Sequence, residues 1–213
     1  ECRIESGLHS VGLLELYTSE GCNSCPPADA WLNELGRHGL GANRVVALAL
    51  HVDYWDYIGW KDRFANPIFT ERQRRASQRE GLGSIYTPQV TLNGVTMQRW
   101  GDAAKLSAAL DLIQKIKPRA DLALTLQDIR ADRLGIRVSA NVHDPNDKSR
   151  GALYIALYES GLSSEVRAGE NSGVTLRHNY VVREWLGPFD VHDAPGAGIA
   201  QKIGAAADWN RNN

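Results

Sequence analysis

Residues 11–35, VGLLELYTSEGCNSCPPADAWLNEL, decide how the rest of the chain is read. Val11 to Tyr17 is an apolar run of strand length. Ala28, Trp31, Leu32 and Leu35 then recur at the i, i+3, i+4, i+7 spacing of one helical face. Pro26 and Pro27 stand where a first helical turn begins, a position at which proline has no useful N–H to lose, and Gly36 and Gly39 supply stops. The next apolar run, Val45 to Leu50, reads VVALAL without alternation, the pattern of a strand covered on both faces. Together these pieces predict a βαβ unit with Cys22 and Cys25 at the start of its helix.

Downstream, Asn66-Pro67 opens a polar, Arg-rich helical stretch that runs to about Glu80, with Gly81 and Gly83 closing it. Gln89 to Leu92 and Val95 to Trp100 flank Asn93-Gly94, a strong hairpin signal because type I′ turns need positive φ at both central residues. Asp102 is placed to cap a last helix whose Leu106, Ala109, Leu110, Ile113 and Ile116 share one face, and Pro118 ends it. The order predicted to this point is β-α-β-α-β-β-α. Beyond it, Asp121 to Gln127, Leu134 to Val142, Ala152 to Glu159 and Val174 to Trp185 read as strands between turn-rich stretches, which suggests a small antiparallel sandwich. The expected fold class is therefore α/β: a domain over 1–119 with an N-terminal extension and a long insertion at 51–83, followed by a β-rich domain over 120–213.

The 213 residues are 43% hydrophobic and 23% charged, the make-up of an ordinary globular protein. With 24 Lys and Arg against 25 Asp and Glu, no basic excess points to nucleic acid, and that partner is not expected. Val45 to Leu50, the longest apolar run, is far short of the ~20 residues a spanning helix needs. The sequence starts at Glu1 rather than Met, in keeping with removal of a secretory signal. Three cysteines leave Cys2 over once Cys22 and Cys25 pair.

A Cys-x-x-Cys at a helix N-terminus has a physical purpose. Unpaired backbone N–H groups and the helix dipole stabilise a thiolate there and can lower a thiol pKa from about 8.5 to between roughly 3.5 and 7.5. On this reading Cys22, outside the helix, is the more exposed attacking thiol and Cys25, within the first turn, resolves the mixed disulfide. Two other readings stand beside it. Zinc prefers four ligands, and no second CxxC or Cys/His pair at finger spacing is present. An inert brace is the other, although a two-residue loop gains little by closure.

Tyr86-Thr87-Pro88, directly before the predicted hairpin, completes a plan that resembles the thioredoxin superfamily. The resemblance implies a cis Thr87-Pro88 bond facing the cysteines, with Thr87 backbone groups available to pair with substrate. A closer likeness covers nearly the whole chain. Glu15 to Asp29 (ELYTSEGCNSCPPAD), His51-Val52-Asp53-Tyr54-Trp55-Asp56 with Gly59-Trp60, Tyr86 to Val90, and Gly169-Glu170-Asn171 through Val182-Arg183 resemble the bacterial DUF1223 family, which is similar to secreted thioredoxin-like proteins. Asn23-Ser24 departs from the Gly-Pro usual between thioredoxin cysteines, and a long segment intervenes before Pro88.

That segment, His51 to Asn66, follows the C-terminal end of a predicted parallel strand, where open α/β sheets bind ligands. Tyr54, Trp55 and Trp60, with Tyr57, would form a substrate-binding wall beside Cys22, or would pack beneath a long loop. Glu15, between Leu14 and Leu16, would take the proton from Cys25 as an acidic residue of the corresponding thioredoxin strand does, or would be a solvated or ion-paired strand residue. Arg72, Arg74, Arg75 and Arg79 read as one solvated helix face.

Three functions follow. The first is a thiol-disulfide oxidoreductase acting on protein or small-molecule thiols and disulfides, periplasmic or secreted, needing no cofactor, with Cys22, Cys25, Pro88 and Glu15 catalytic and Thr87, Tyr54, Trp55 and Trp60 binding substrate. The second is a metal-binding module, copper above all, with Cys22, Cys25 and His51 as ligands, although the copper chaperones it resembles space their cysteines by three. The third is a non-catalytic binding protein with a structural disulfide.

Overall fold

The computed structural model describes residues 2–127, 133–148, 151–191, 198–204 and 209. It is a mixed α/β protein with several sheets. Its strands are β1 (Cys2–Glu5), β2 (Gly12–Thr18), β3 (Val45–His51), β4 (Gln89–Leu92), β5 (Val95–Thr96), β6 (Ala120–Gln127), β7 (Arg133–Val142), β8 (Ala152–Glu159), β9 (Leu162–Glu165), β10 (Thr175–His178), β11 (Val181–Asp190) and β12 (Ile199–Gly204). The helices are α1 (Pro26–Asn33), α2 (Pro67–Arg79), α3 (Ala103–Gln114) and the four-residue α4 (Pro145–Lys148).

Packing does not follow one cut at 119/120. Two compact units interleave along the sequence: residues 11–114 with 157–183, and residues 1–10 with 115–156 and 184–212. Strands β8 and β11 contribute residues to both.

In the unit that holds the cysteines, β2 runs parallel to β3, from Gly12 opposite Val45 to Thr18 opposite His51. On its other side β2 is antiparallel to β4, and β4 pairs with the short β5. The hairpin expected at Asn93-Gly94 forms, with Asn93 at φ 50° and Gly94 at φ 78°. Its second arm stops at Thr96 rather than continuing to Trp100. The free edge of β3 is taken by Val181, parallel and opposite Ala49, so a strand distant in sequence extends the sheet. Val174 to Trp185 was expected as one strand; it is two, because Tyr180 at φ 59° turns the chain between β10 and β11.

Side-chain alternation along β2 sorts two unlike layers. Leu14 and Leu16 pack with Ala28 and Leu32 of α1 and with Leu106 and Leu110 of α3, all essentially buried. The intervening Glu15 meets α2, whose buried face is partly polar: Phe69, Thr70, Gln73, Ala76 and Ser77. Gln73 Nε2 donates to Gln89 Oε1 at 2.8 Å and to the Tyr86 carbonyl at 2.7 Å, so this layer satisfies itself by hydrogen bonds. Asn66 caps α2 by accepting from the Ile68 N–H, and Pro67 follows at N1.

The other unit holds an antiparallel sheet ordered β1-β6-β7-β12. β1 and β12 lie beyond the strands expected from the sequence. Every residue of β1 is exposed, which leaves no hydrophobic period to read. Among the described residues after 120, α-helix is limited to α4.

Candidate functional site

Cys22 and Cys25 form a disulfide, with their Cα atoms 5.4 Å apart, at the mouth of α1. The Cys25 N–H donates to the Cys22 carbonyl at 3.2 Å, and the Cys25 carbonyl accepts from Ala28 and Asp29, so Cys25 is the N-cap residue. The Ser24 hydroxyl lies 3.3 Å from Cys22 Sγ. Cys22 was expected to be the more exposed thiol; both cysteines are fully buried. The turn between β9 and β10, a segment the sequence placed in the second domain, is fastened to the cysteine loop. Asn171, itself 6% exposed, donates through Nδ2 to the carbonyls of Glu20 at 2.8 Å and Cys22 at 3.0 Å. Glu170 Oε2 accepts from the Asn23 N–H at 3.1 Å. The β9-β10 hairpin is tied to α1 as well: Asn33 Nδ2 donates to the Arg177 carbonyl and Asn33 Oδ1 accepts from the Asn179 N–H.

Thr87-Pro88 is cis, as the resemblance implied. Trp55 Nε1 donates to Thr87 Oγ1 at 2.7 Å, and its Cβ approaches Gly21 so closely that a Cβ there would lie 3.1 Å away. Trp55 thus joins the residue before Cys22 to the residue before Pro88. Trp60 donates to Glu20 Oε2 at 2.8 Å, and the Tyr54 hydroxyl donates to Gln73 Oε1 at 3.2 Å. Burial pushes the Tyr54 phenol up to about 12. All three aromatics therefore fasten the 51–66 segment from within, while Tyr57 is 83% exposed.

Glu15 is buried and its Oε1 accepts from Arg72 Nε at 2.6 Å, on the face of β2 opposite the layer that contains α1. Arg72 is accordingly drawn out of the solvated row that the sequence suggested, whereas Arg74, Arg75 and Arg79 are exposed.

Sequence reading did not assemble the constellation beneath the cysteine loop. Asp62 organises it: Oδ2 accepts from the Glu20 N–H at 2.9 Å and lies 2.7 Å from His51 Nδ1, and Oδ1 accepts from the Phe64 N–H. His178 from β10 brings Nε2 to 3.3 Å from Glu20 Oε1, poorly aligned for a hydrogen bond, and Nδ1 to 4.0 Å from Asp29 Oδ1. Asp29 Oδ2 accepts from the Thr18 hydroxyl at 3.0 Å. All five ionisable groups are at most 7% exposed. Burial opposes charge on Glu20, Asp29, His51 and Asp62. The His51 side chain beside Asp62 nevertheless holds that carboxyl low, and Asp62 in turn holds His51 up; Asp29, without so close a partner, is pushed up by burial. Donor atoms of Asp29, His51 and His178 lie within 4.8 Å of one another, and no cysteine sulfur belongs to this group. The sequence signal for it was faint. His51 and Asp62 stood in the aromatic segment and Glu20 and Asp29 in the cysteine motif, but His178 lay in a stretch read as strand and as part of the family likeness, with no role given to it.

Among solved structures, the crystal structure of protein AGR_C_4864 from Agrobacterium tumefaciens is similar over 93% of this chain and 80% of that one, at 26% identity and a TM-score of 0.63. HBP35 of Porphyromonas gingivalis is similar in fold over 95% of this chain and 66% of that one, at 17% identity and a TM-score of 0.58. No curated protein matches significantly. The model of the family described as protein of unknown function DUF1223 matches residues 13–212, and the chain belongs to that family.

Proposed function

We propose that the Cys22–Cys25 unit is a thioredoxin-like module that carries out thiol-disulfide exchange outside the cytoplasm. The observation that carries the reading is the disulfide itself, closed across the N-terminus of α1, where the helix dipole favours the thiolate released on reduction. Further support comes from the strand order β5-β4-β2-β3 with β2 and β3 parallel, from the apolar packing of α1 and α3 on one face with α2 on the other, and from the cis Thr87-Pro88 bond. Disulfides persist in oxidising compartments, which supports a periplasmic or secreted location.

In the oxidising direction a substrate thiolate attacks Cys22 Sγ, the Cys22–Cys25 bond breaks and Cys25 leaves as thiolate. A second substrate thiolate then attacks the mixed disulfide and releases Cys22. Two electrons pass from the substrate dithiol to the cysteine pair, with the two substrate protons matched by two taken up on the cysteines; the reverse sequence is reduction. Glu15, the acceptor the resemblance implies for the Cys25 proton, is paired with Arg72. Thr87 and Trp55 form the wall that an extended substrate would meet.

The test is equilibration of the folded protein in glutathione buffers of graded potential, acid quench, alkylation and mass measurement. A single two-electron transition with the fold intact is expected. A disulfide reduced only when the chain unfolds would make it a brace and end the exchange reading.

A further inference from the structure

The deepest feature of the cysteine-bearing unit is one that thiol chemistry does not use. His51 Nε2, His178 Nδ1 and His178 Nε2 are buried with no hydrogen-bond partner, and Glu20 Oε1 is likewise unpartnered. Buried polar atoms are nearly always satisfied, since each orphan loses its hydration for nothing. Here the orphans converge. The imidazoles of His51 and His178 meet edge to face with centroids 5.0 Å apart, and both stand against Phe64, which closes one side with an apolar ring.

We infer that Asp29, His51 and His178 form a site for one divalent first-row transition metal, zinc being the reference ion, bound through an Asp29 oxygen, His51 Nε2 and His178 Nδ1. The inference does not rest on the redox reading of Cys22 and Cys25. Two imidazoles and a carboxylate are a set that zinc and ferrous iron accept. The outer groups fit equally well. Metal-bound histidines donate their second N–H to a carboxylate, which fixes ring and tautomer. Asp62 Oδ2 stands 2.7 Å from His51 Nδ1, and Glu20 Oε1 stands 3.3 Å from His178 Nε2. Each imidazole is thus backed by its own carboxylate, and each leaves its other nitrogen toward Asp29.

Charge argues the same way. Three carboxylates and two imidazoles are enclosed without Lys or Arg paired to Glu20, Asp29 or Asp62 among the described residues. A divalent cation would offset most of the negative charge those carboxylates carry. Around tetrahedral zinc, ligand atoms about 2.0–2.1 Å from the metal lie about 3.4 Å apart. The present separations, up to 4.8 Å, would close by shifts of about 1 Å, the scale of a small side-chain rotation. The three ligands come from α1, the end of β3 and β10, so the ion would pin the covering hairpin to the helix that carries Cys25.

Because the site is enclosed, the full chain is to be unfolded with chelator present, freed of metal, refolded with one equivalent of Zn²⁺ or Co²⁺, and desalted. Elemental analysis is expected to find close to one ion per chain, unchanged in the Cys22→Ser/Cys25→Ser protein and lost in His178→Asn and in Asp29→Asn. Asp62→Asn, which keeps all three ligands, is expected to weaken binding about 10- to 100-fold. X-ray absorption of the zinc-loaded unsubstituted protein needs no variant to fold: nitrogen and oxygen neighbours near 2.0–2.1 Å support the site, and sulfur neighbours near 2.3 Å overturn it. Refolded protein without stoichiometric metal, or metal retained in His178→Asn and Asp29→Asn, also overturns it and leaves the enclosure to a trapped water.

Discussion

Asn171→Ala isolates the contact that ties the β9-β10 turn to the cysteine loop. The amide makes two hydrogen bonds, to the Glu20 and Cys22 carbonyls at 2.8 and 3.0 Å, from a position 6% exposed. At a net worth of about 1 kcal/mol each, their loss removes about 2 kcal/mol from the closed arrangement of this turn. If a reductant reaches Cys22 only when the turn lifts, the open population governs the rate, and 2 kcal/mol corresponds to about 30-fold faster reduction. The assay is reduction of the folded protein by a water-soluble phosphine or dithiol under pseudo-first-order conditions, with alkylation of released thiols at timed intervals. Denaturant unfolding of both proteins gives the global cost in parallel. A variant that loses about 2 kcal/mol of global stability yet is reduced at the unsubstituted rate would show that the turn does not gate the cysteines, and the covering role given to Asn171 would be withdrawn.

Other expectations can be measured alongside it. Arg72→Met should cost about 2–3 kcal/mol in denaturant unfolding, below the range for a fully buried pair because the Arg72 side chain is 24% exposed, and adding Glu15→Gln should recover part of it; a cost under about 1 kcal/mol would deny the pair its role. Asp62→Asn should lose about 2–3 kcal/mol through the three donors that converge on this carboxyl. Asp62 is held low, so its contribution is present above the ordinary carboxylate range and lost as pH falls through the lowered value; the variant should lack that acid-side loss in a melting-temperature profile. His143, whose ring nitrogens lie 2.9 Å from Asp121 Oδ2 and 3.0 Å from the Pro118 carbonyl, is raised chiefly by Asp121. Its stabilising effect is complete below about 6.5 and is lost as pH rises through the raised value, and an NMR titration should show that value drop in Asp121→Asn.

The stretch from 11 to 50 was legible because each of its signals is local: uninterrupted apolar strands, one helical stripe, and prolines at the helix start. The cis Thr87-Pro88 bond was legible only through likeness, since nothing about a Thr-Pro pair sets its isomer. What escaped was non-local. His178 and Asn171 reach the cysteine loop across the whole of residues 115–156, and no periodicity reports which distant turn will cover a given helix mouth. Tyr180, which breaks one expected strand into two, occupies positive φ without the glycine or asparagine that signals it. The role of Asp62 was hidden because a charged residue in an aromatic loop reads as solvated, and only three converging donors make burial tolerable.

The interleaving of the units has a consequence for biosynthesis. Residues 11–114 emerge from the ribosome without β9, β10 or the start of β11, so the edge of β3 opposite Val181 and the far side of α1 stay uncovered until residue 183 is made. At about 5–20 residues per second, that interval lasts several seconds, during which Cys22 and Cys25 lack the turn that lies against their loop. Closure of the hairpin over the loop is therefore a late event of high sequence separation, and it marks when the nascent chain acquires its finished site.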